Sequence, residues 1–124
     1  MTSHIAAQTE KTLLHHLQAF QAGDVDAIMA DYTVDAMLIT PHGVLKGHEQ
    51  IRALFKQIFT DMFPPDSTSL EISQQVIEGE IAYILWSGRS AHYTAPLGTD
   101  TFVIRDGKIV AQTFAAQLEA KKPA

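Results

Sequence analysis

The sequence predicts an α+β fold, a small curved and largely antiparallel sheet with helices laid over one face. Three observations carry that expectation. Amphipathic helical stripes occupy the first half of the chain, Gly23-Asp24, Pro41 and Gly47 punctuate that half, and everything from Ser67 onward reads as extended strands. Such a fold encloses one interior space, and function would sit there.

Ser3 is the expected cap of a first helix whose inward stripe runs Ile5, Thr9, Leu13, Leu17, Phe20, close to i, i+4 spacing. Gly23 ends it. Asp24 then caps a short second helix carrying Val25, Ile28, Met29 and Tyr32. Asp35 to Thr40 has the length and apolar content of a strand, stopped by Pro41; His42-Gly43 turns the chain into a brief return strand at Val44-Leu45. A third helix opens at Gly47-His48-Glu49. Its stripe of Ile51, Leu54, Phe55, Ile58, Phe59 and Met62 is the clearest helical signal, and Pro64-Pro65 terminates it.

In the strand half, Leu70, Ile72, Gln74 and Val76 alternate with more polar neighbours, and Glu78-Gly79-Glu80 reads as a turn. Ile81 to Trp86 is almost wholly apolar, as for a central strand covered on both faces, and Ser87 to Tyr93 continues it. Ala95-Pro-Leu-Gly98 is expected to turn the chain into a strand over Thr99–Arg105. Asp106-Gly107 makes a hairpin into a last strand, Lys108–Leu118, followed by a tail over Glu119–Ala124.

Composition bounds the function. The 124 residues fit a single domain, residues 1–124, large enough for a real core. With 46% hydrophobic and 19% charged residues the chain should be ordered. The net charge is −5 and the nine Lys and Arg form no basic stripe, so no nucleic-acid partner is expected. The chain has no cysteine, which excludes disulfides and thiol catalysis. No apolar run reaches the ~20 residues of a membrane span, and the N-terminus does not read as a signal peptide; a cytoplasmic protein without a membrane partner is the expectation. Six histidines invite a metal, yet none forms a His-x-x-x-His pair, so no metal and no cofactor are expected.

Two residues stand out as candidates for chemistry. Period-2 geometry puts Asp100, Phe102 and Ile104 on one strand face. If that face is the concave one, Asp100 points a carboxyl into apolar surroundings, which favour its neutral form and make it a hydrogen-bond donor. The alternative is an aspartate bonded to backbone amides near a strand end. His16 projects between Leu13, Leu17 and Phe20 toward the interior, whereas His15 lies nearer the edge. It is either a core histidine bonded to a carbonyl or a polar group in a cavity. Phe55 or Phe59 could line such a cavity; Tyr32, Tyr83, Trp86, Arg89, His92 and Gln112 could each face inward, with either parity of the Ile81–Tyr93 strand open.

Ala22-Gly-Asp-Val-Asp-Ala-Ile-Met-Ala-Asp-Tyr32, Asp35-Ala-Met-Leu38, Gly43, Gly47, Ile51-Arg52 and the closing Gly98-Thr-Asp-Thr-Phe-Val-Ile-Arg-Asp-Gly-Lys-Ile-Val110 resemble the nuclear transport factor 2-like superfamily. Within it the chain is most similar to SnoaL-like and ketosteroid-isomerase-like proteins. The resemblance implies a cone-shaped sheet closed by three helices over its concave face, and a homodimer through the outer face. It implies a pocket for a small apolar molecule, with Tyr32, Thr40, Phe55, Phe59, Trp86, Phe102, Gln112 and Phe114 as its contacts.

Carried over from ketosteroid isomerase, Asp100 matches a neutral aspartic acid that stabilises an enolate, and His16 falls where that family has a first-helix tyrosine. Thr40 occupies the place of the proton-moving carboxylate before Pro41, and Phe55 that of a supporting tyrosine. The base is therefore missing from its usual place, since threonine cannot abstract a carbon-bound proton at neutral pH; His16, His42 or His92 could supply it. The expected function is cofactor-free acid–base chemistry on a small carbonyl-bearing substrate, with Asp100 and His16 as the catalytic pair. The alternatives are a non-catalytic ligand-binding or assembly domain, or a filled core in which Asp100 and His16 satisfy each other.

Overall fold

A computed structural model describes residues 2–122, without the side chains of residues 2 and 3. The elements run α1 (Thr2–Ala22), α2 (Val25–Met29), β1 (Tyr32–Thr40), β2 (Gly43–Lys46), α3 (Gly47–Gln57), a π-helical turn (Ile58–Met62), β3 (Ser69–Glu78), β4 (Ile81–Arg89), β5 (Tyr93–Arg105) and β6 (Lys108–Ala120). The six strands form one curved sheet in the order β2-β1-β6-β5-β4-β3, antiparallel except for the parallel β1–β6 pair. The helices cover its concave face, the cone-like α+β architecture expected. Among the described residues no helix is long and apolar enough to cross a membrane.

The first helix begins at Thr2, so the expected cap Ser3 falls within it, and its side chain lies outside the described residues. Thr9, Thr12, Leu13, His16 and Ala19 form the buried stripe, while Ile5 is exposed. Thr9 sits on that stripe because its hydroxyl has a partner, donating to the Gly79 carbonyl at 2.7 Å; Thr12 donates to the Gly107 carbonyl at 3.1 Å. Two threonines thus tie α1 to the tight ends of the β3–β4 and β5–β6 hairpins. Gly23 reverses the chain at φ +67°, and a Cβ there would lie 2.5 Å from Pro65 Cγ, so both conformation and space require glycine. Asp24 caps α2 by accepting the Ala27 amide at 3.0 Å.

Several boundaries differ from the sequence reading. Tyr32 opens β1 rather than closing α2. The third helix does not run α-helical to the prolines; after Gln57 it widens into one π turn, closed by the Phe63 amide on the Ile58 carbonyl at 2.7 Å. A bulge between Ile72 and Gln74 breaks the expected alternation of β3, leaving Val76 exposed and Ile77 packed against the core. No turn forms at Ala95–Gly98, which lies inside β5. The reversal occurs at Ser90–His92 instead, because the buried Ser90 hydroxyl accepts the His92 and Tyr93 amides at 3.1 Å and donates to the Met62 carbonyl. The tail is shorter than expected, since β6 extends through Ala120. β4 is covered on one face only: Ala82, Ile84 and Trp86 face the helices, while Ile81 is exposed.

Candidate functional site

Between the helices and the concave sheet lies a cavity of about 560 Å³. The helical side contributes His16, Leu17 and Phe20 from α1, Leu54 and Phe55 from α3, and Ile58 from the π turn. The sheet contributes Ile84 and Trp86 from β4, Asp100 and Phe102 from β5, and Gln112 and Phe114 from β6. Pro41 and His42 belong to the same lining.

Strand register explains the sheet side. Ile84 pairs with Asp100 and Asp100 with Phe114, while Phe102 pairs with Ala82 and Gln112, so the inward residues of three strands fall in adjacent rows. Asp100 is 8% exposed. Its Oδ1 accepts the Trp86 indole N–H at 2.8 Å and its Oδ2 accepts the Gln112 amide at 2.7 Å. Gln112 in turn accepts the buried Tyr32 hydroxyl. The Trp86 ring stacks on Phe114 at 6.3 Å with 18° between planes. It also lies flat over Gly98, where a Cβ would come within 2.2 Å of Cε2. Glycine inside a strand therefore makes room for the indole that holds the acid.

Burial pushes the Asp100 carboxyl up to about 7, against the Gln112 and Trp86 hydrogen bonds, which pull it down. The acid thus populates both protonation states near neutrality. Burial, with the Asp100 and Asp31 carboxyls nearby, pushes the Tyr32 hydroxyl well above its ordinary value and keeps it a donor.

His16 is 4% exposed and sits among aromatic rings, edge-on to Tyr32 at 5.6 Å, Phe55 at 6.1 Å and Phe102 at 5.3 Å. Its Nδ1 is buried with no hydrogen-bond partner among the described residues, and the nearest carboxylate oxygen, Asp31 Oδ2, is 3.8 Å away. Asp31 is itself buried, with His15 Nδ1 at 2.8 and 2.9 Å from its two oxygens. A carboxylate only accepts, so His15 Nδ1 carries the proton there.

Of the candidates read from sequence, His16, His42, Phe55, Trp86, Asp100, Phe102, Gln112 and Phe114 meet around this cavity, and Tyr32 joins through Gln112. Asp100 and His16 do not satisfy each other; Asp100 is held by Trp86 and Gln112. Thr40 does not line the cavity. Its hydroxyl accepts the His42 amide at 3.1 Å and donates to the Gly43 carbonyl at 3.3 Å, holding the β1–β2 turn. Phe59 lies behind the lining, against Phe20 at 5.0 Å and Phe55 at 6.3 Å. Arg89 and His92 are exposed near the Ser90 turn, and Tyr83 alternates to the face away from the helices.

Sequence reasoning missed Asp31, His15 and Gly98. A signal for the first existed: His16 and Asp31 stand seven residues on either side of the Gly23-Asp24 turn, so a reversal there brings them level. Among the described residues no cluster of three or more His, Asp or Glu is arranged to hold a metal ion.

The profile of the SnoaL-like domain matches residues 13–112, a span reaching from the core of α1 to Gln112. The chain belongs to the SnoaL-like domain family. Among proteins of curated function none matches the sequence. Solved structures share the fold at low identity. An NTF2-like protein of unknown function from Burkholderia xenovorans LB400 is 24% identical, with 94% of this chain and 88% of that one covered at a TM-score of 0.74. A SnoaL-like protein of unknown function from Burkholderia thailandensis E264 is 20% identical over 90% and 95% of the two chains, at 0.73. An LEH-like epoxide hydrolase of M. tuberculosis is 13% identical over 90% and 84%, at 0.72. SnoaL-like membership and the NTF2-like cone thus bear out the resemblance read from the Gly23 and Gly98–Val110 segments.

Proposed function

We propose that this SnoaL-like protein is a cofactor-independent enzyme that moves protons on a small, apolar, carbonyl-bearing molecule. Asp100 carries the reading. It is a carboxyl buried in an apolar cavity, held by two neutral donors and poised near neutrality at about 7. In its neutral form it donates to a carbonyl oxygen, and the bond strengthens as that oxygen gains charge, which stabilises the transition state more than the ground state. His16, on the facing helical side, exchanges the proton. The cavity volume suits a ligand of one or two fused rings.

Exchange of the α-hydrogens of 2-tetralone in deuterated water, followed by mass spectrometry, tests this. The wild type should exceed the buffer rate at least tenfold, and Asp100→Asn should return it to the buffer rate. A wild-type rate equal to buffer, with the ketone held in the cavity as read by Trp86 fluorescence, would refute the enzyme and favour a binding module. That second reading draws on Thr40, whose hydroxyl is engaged in the β1–β2 turn and leaves the usual base position without a proton acceptor.

The homodimer belongs to the same proposal. Val76, Ile81 and Leu97 are exposed apolar side chains on the sheet face turned from the helices, with Tyr83, Leu85 and Val103 half-buried beside them. A second copy is the occupant proposed for that face.

A further inference from the structure

The buried pair of His16 and Asp31 is unused by the cavity's hydrogen-bond chain, which runs from Tyr32 through Gln112 to Asp100 and Trp86. We infer that Asp31 is the positioning carboxylate that makes His16 the general base of this cavity, with His15 as the clamp that orients Asp31. The inference rests on the acid–base reading above and supplies its missing residue.

Three observations carry it. First, His16 is buried and lines the cavity, yet Nδ1 has no hydrogen-bond partner among the described residues. A buried polar atom left unpaired is costly, and its persistence calls for a reason. Second, the nearest carboxylate oxygen is Asp31 Oδ2 at 3.8 Å, too long for a hydrogen bond but close for a charge. A carboxylate there favours the tautomer with the proton on Nδ1, because a lone pair facing it would be repelled. Nε2 is then left with its lone pair for the cavity. Third, Asp31 is fixed before His16 needs it, since His15 Nδ1 reaches both its oxygens.

The groups facing this pair come from every neighbouring element. Tyr32, directly after Asp31, opens β1, Asp100 lies on β5, and Gln112 on β6. Asp100 and Tyr32 are already committed to Gln112 and Trp86. On the far side of α1, an outer groove brings His4, Lys11 and Lys108 around His15 and Asp31. Lys108 donates to the Ala30 carbonyl, leaving His15 as the hydrogen-bonded partner of the Asp31 carboxylate.

The step balances as a single proton transfer. His16 Nε2 takes the α-hydrogen as a proton. The electron pair of the broken C–H bond moves onto the carbonyl oxygen, where the Asp100 O–H meets it. The imidazolium keeps Nδ1–H toward Asp31 Oδ2, and to the weaker attraction of the neutral N–H it adds one between opposite charges that grows as His16 takes the proton. Returning the proton to a carbon regenerates both groups.

Two measurements test it. Carbon-13 and nitrogen-15 NMR of histidine-labelled protein without ligand should show neutral His16 protonated on Nδ1, and Asp31→Asn should shift it toward the Nε2–H form. With 2-tetralone, Asp31→Asn should lower kcat for hydrogen exchange roughly 100-fold with KM little changed, within the range a positioned base contributes. Asp31→Glu should restore part of that loss, which a purely structural role would not produce. An Nε2–H tautomer in the wild type overturns this inference even if the wild type exchanges hydrogen rapidly. The expected tautomer in a wild type that exchanges no faster than buffer instead overturns the enzyme reading, and the base role with it. The wild-type NMR result stands on its own if the Asp31 variants do not fold.

Discussion

Replacing Asp100 by asparagine should change how stability depends on pH, and the size of the change follows from where the carboxyl sits. Burial raises its folded-state value from 3.8 to about 7. Folded and unfolded states both hold the proton below the unfolded value and have both lost it above the folded value. Between the two only the folded state keeps it, so stability falls as pH rises from the unfolded value and the loss is complete once the folded value is passed. At 1.36 kcal/mol per unit the full effect is about 4 kcal/mol, of which roughly 3 kcal/mol falls between pH 5 and 9.

Asparagine removes this term. Its carbonyl keeps the Trp86 indole bond, but its amide opposes the Gln112 amide, both being donors, until Gln112 turns over. That cost is the same at every pH. Urea denaturation followed by circular dichroism, from pH 5 to 9, should therefore show the wild type losing ground to Asp100→Asn up to about pH 7 and running parallel above it. Two curves separated by a constant offset over the whole range would refute the buried-acid argument.

Three further outcomes follow from the same geometry. Trp86 is the chain's only tryptophan and donates to Asp100, so its emission should titrate with a midpoint near 7; a flat profile from pH 5 to 9, or an unchanged titration in Asp100→Asn, contradicts the coupling. Gly98→Ala places a Cβ 2.2 Å from Trp86 Cε2 and should cost about 1–3 kcal/mol while shifting tryptophan emission; a thermal midpoint and spectrum like those of the wild type would show that the indole does not lie over Gly98. Light scattering should give the mass of two chains, and Tyr83→Asp on the convex face should give one; a monomeric wild type rules the proposed dimer out.

How much was legible in the chain depended on whether a signal was local. Asp24 capping α2, Gly23 reversing the chain and Asp106-Gly107 joining β5 to β6 are decided within a few residues, and the sequence reading agrees with them. The placement of Asp100 and Phe102 on one face follows from strand period alone. The Ala95–Gly98 turn was misread because Pro and Gly usually mark turns, whereas here Pro96 is exposed and Gly98 is small for the sake of Trp86. The buried Ser90 hydroxyl, which makes the real reversal, gives no local sign of its partners.

The chain by itself settled the order of helices and strands and which side chains share a strand face, because backbone periodicity and turn chemistry act over neighbouring residues. The family came from the resemblance of its Ala22–Tyr32 and Gly98–Val110 segments. Only the tertiary structure decided that the Asp100 face is the concave one and that Trp86 and Gln112 hold its two oxygens. It also brought Asp31 Oδ2 to 3.8 Å from His16 Nδ1 and engaged the Thr40 hydroxyl in the β1–β2 turn. Those outcomes depend on sheet curvature and on the pairing of β1 with β6 and of β4 with β5, both of which carry register shifts. They depend equally on a helix laid across strands far away in sequence, and no window of neighbouring residues encodes such long-range geometry.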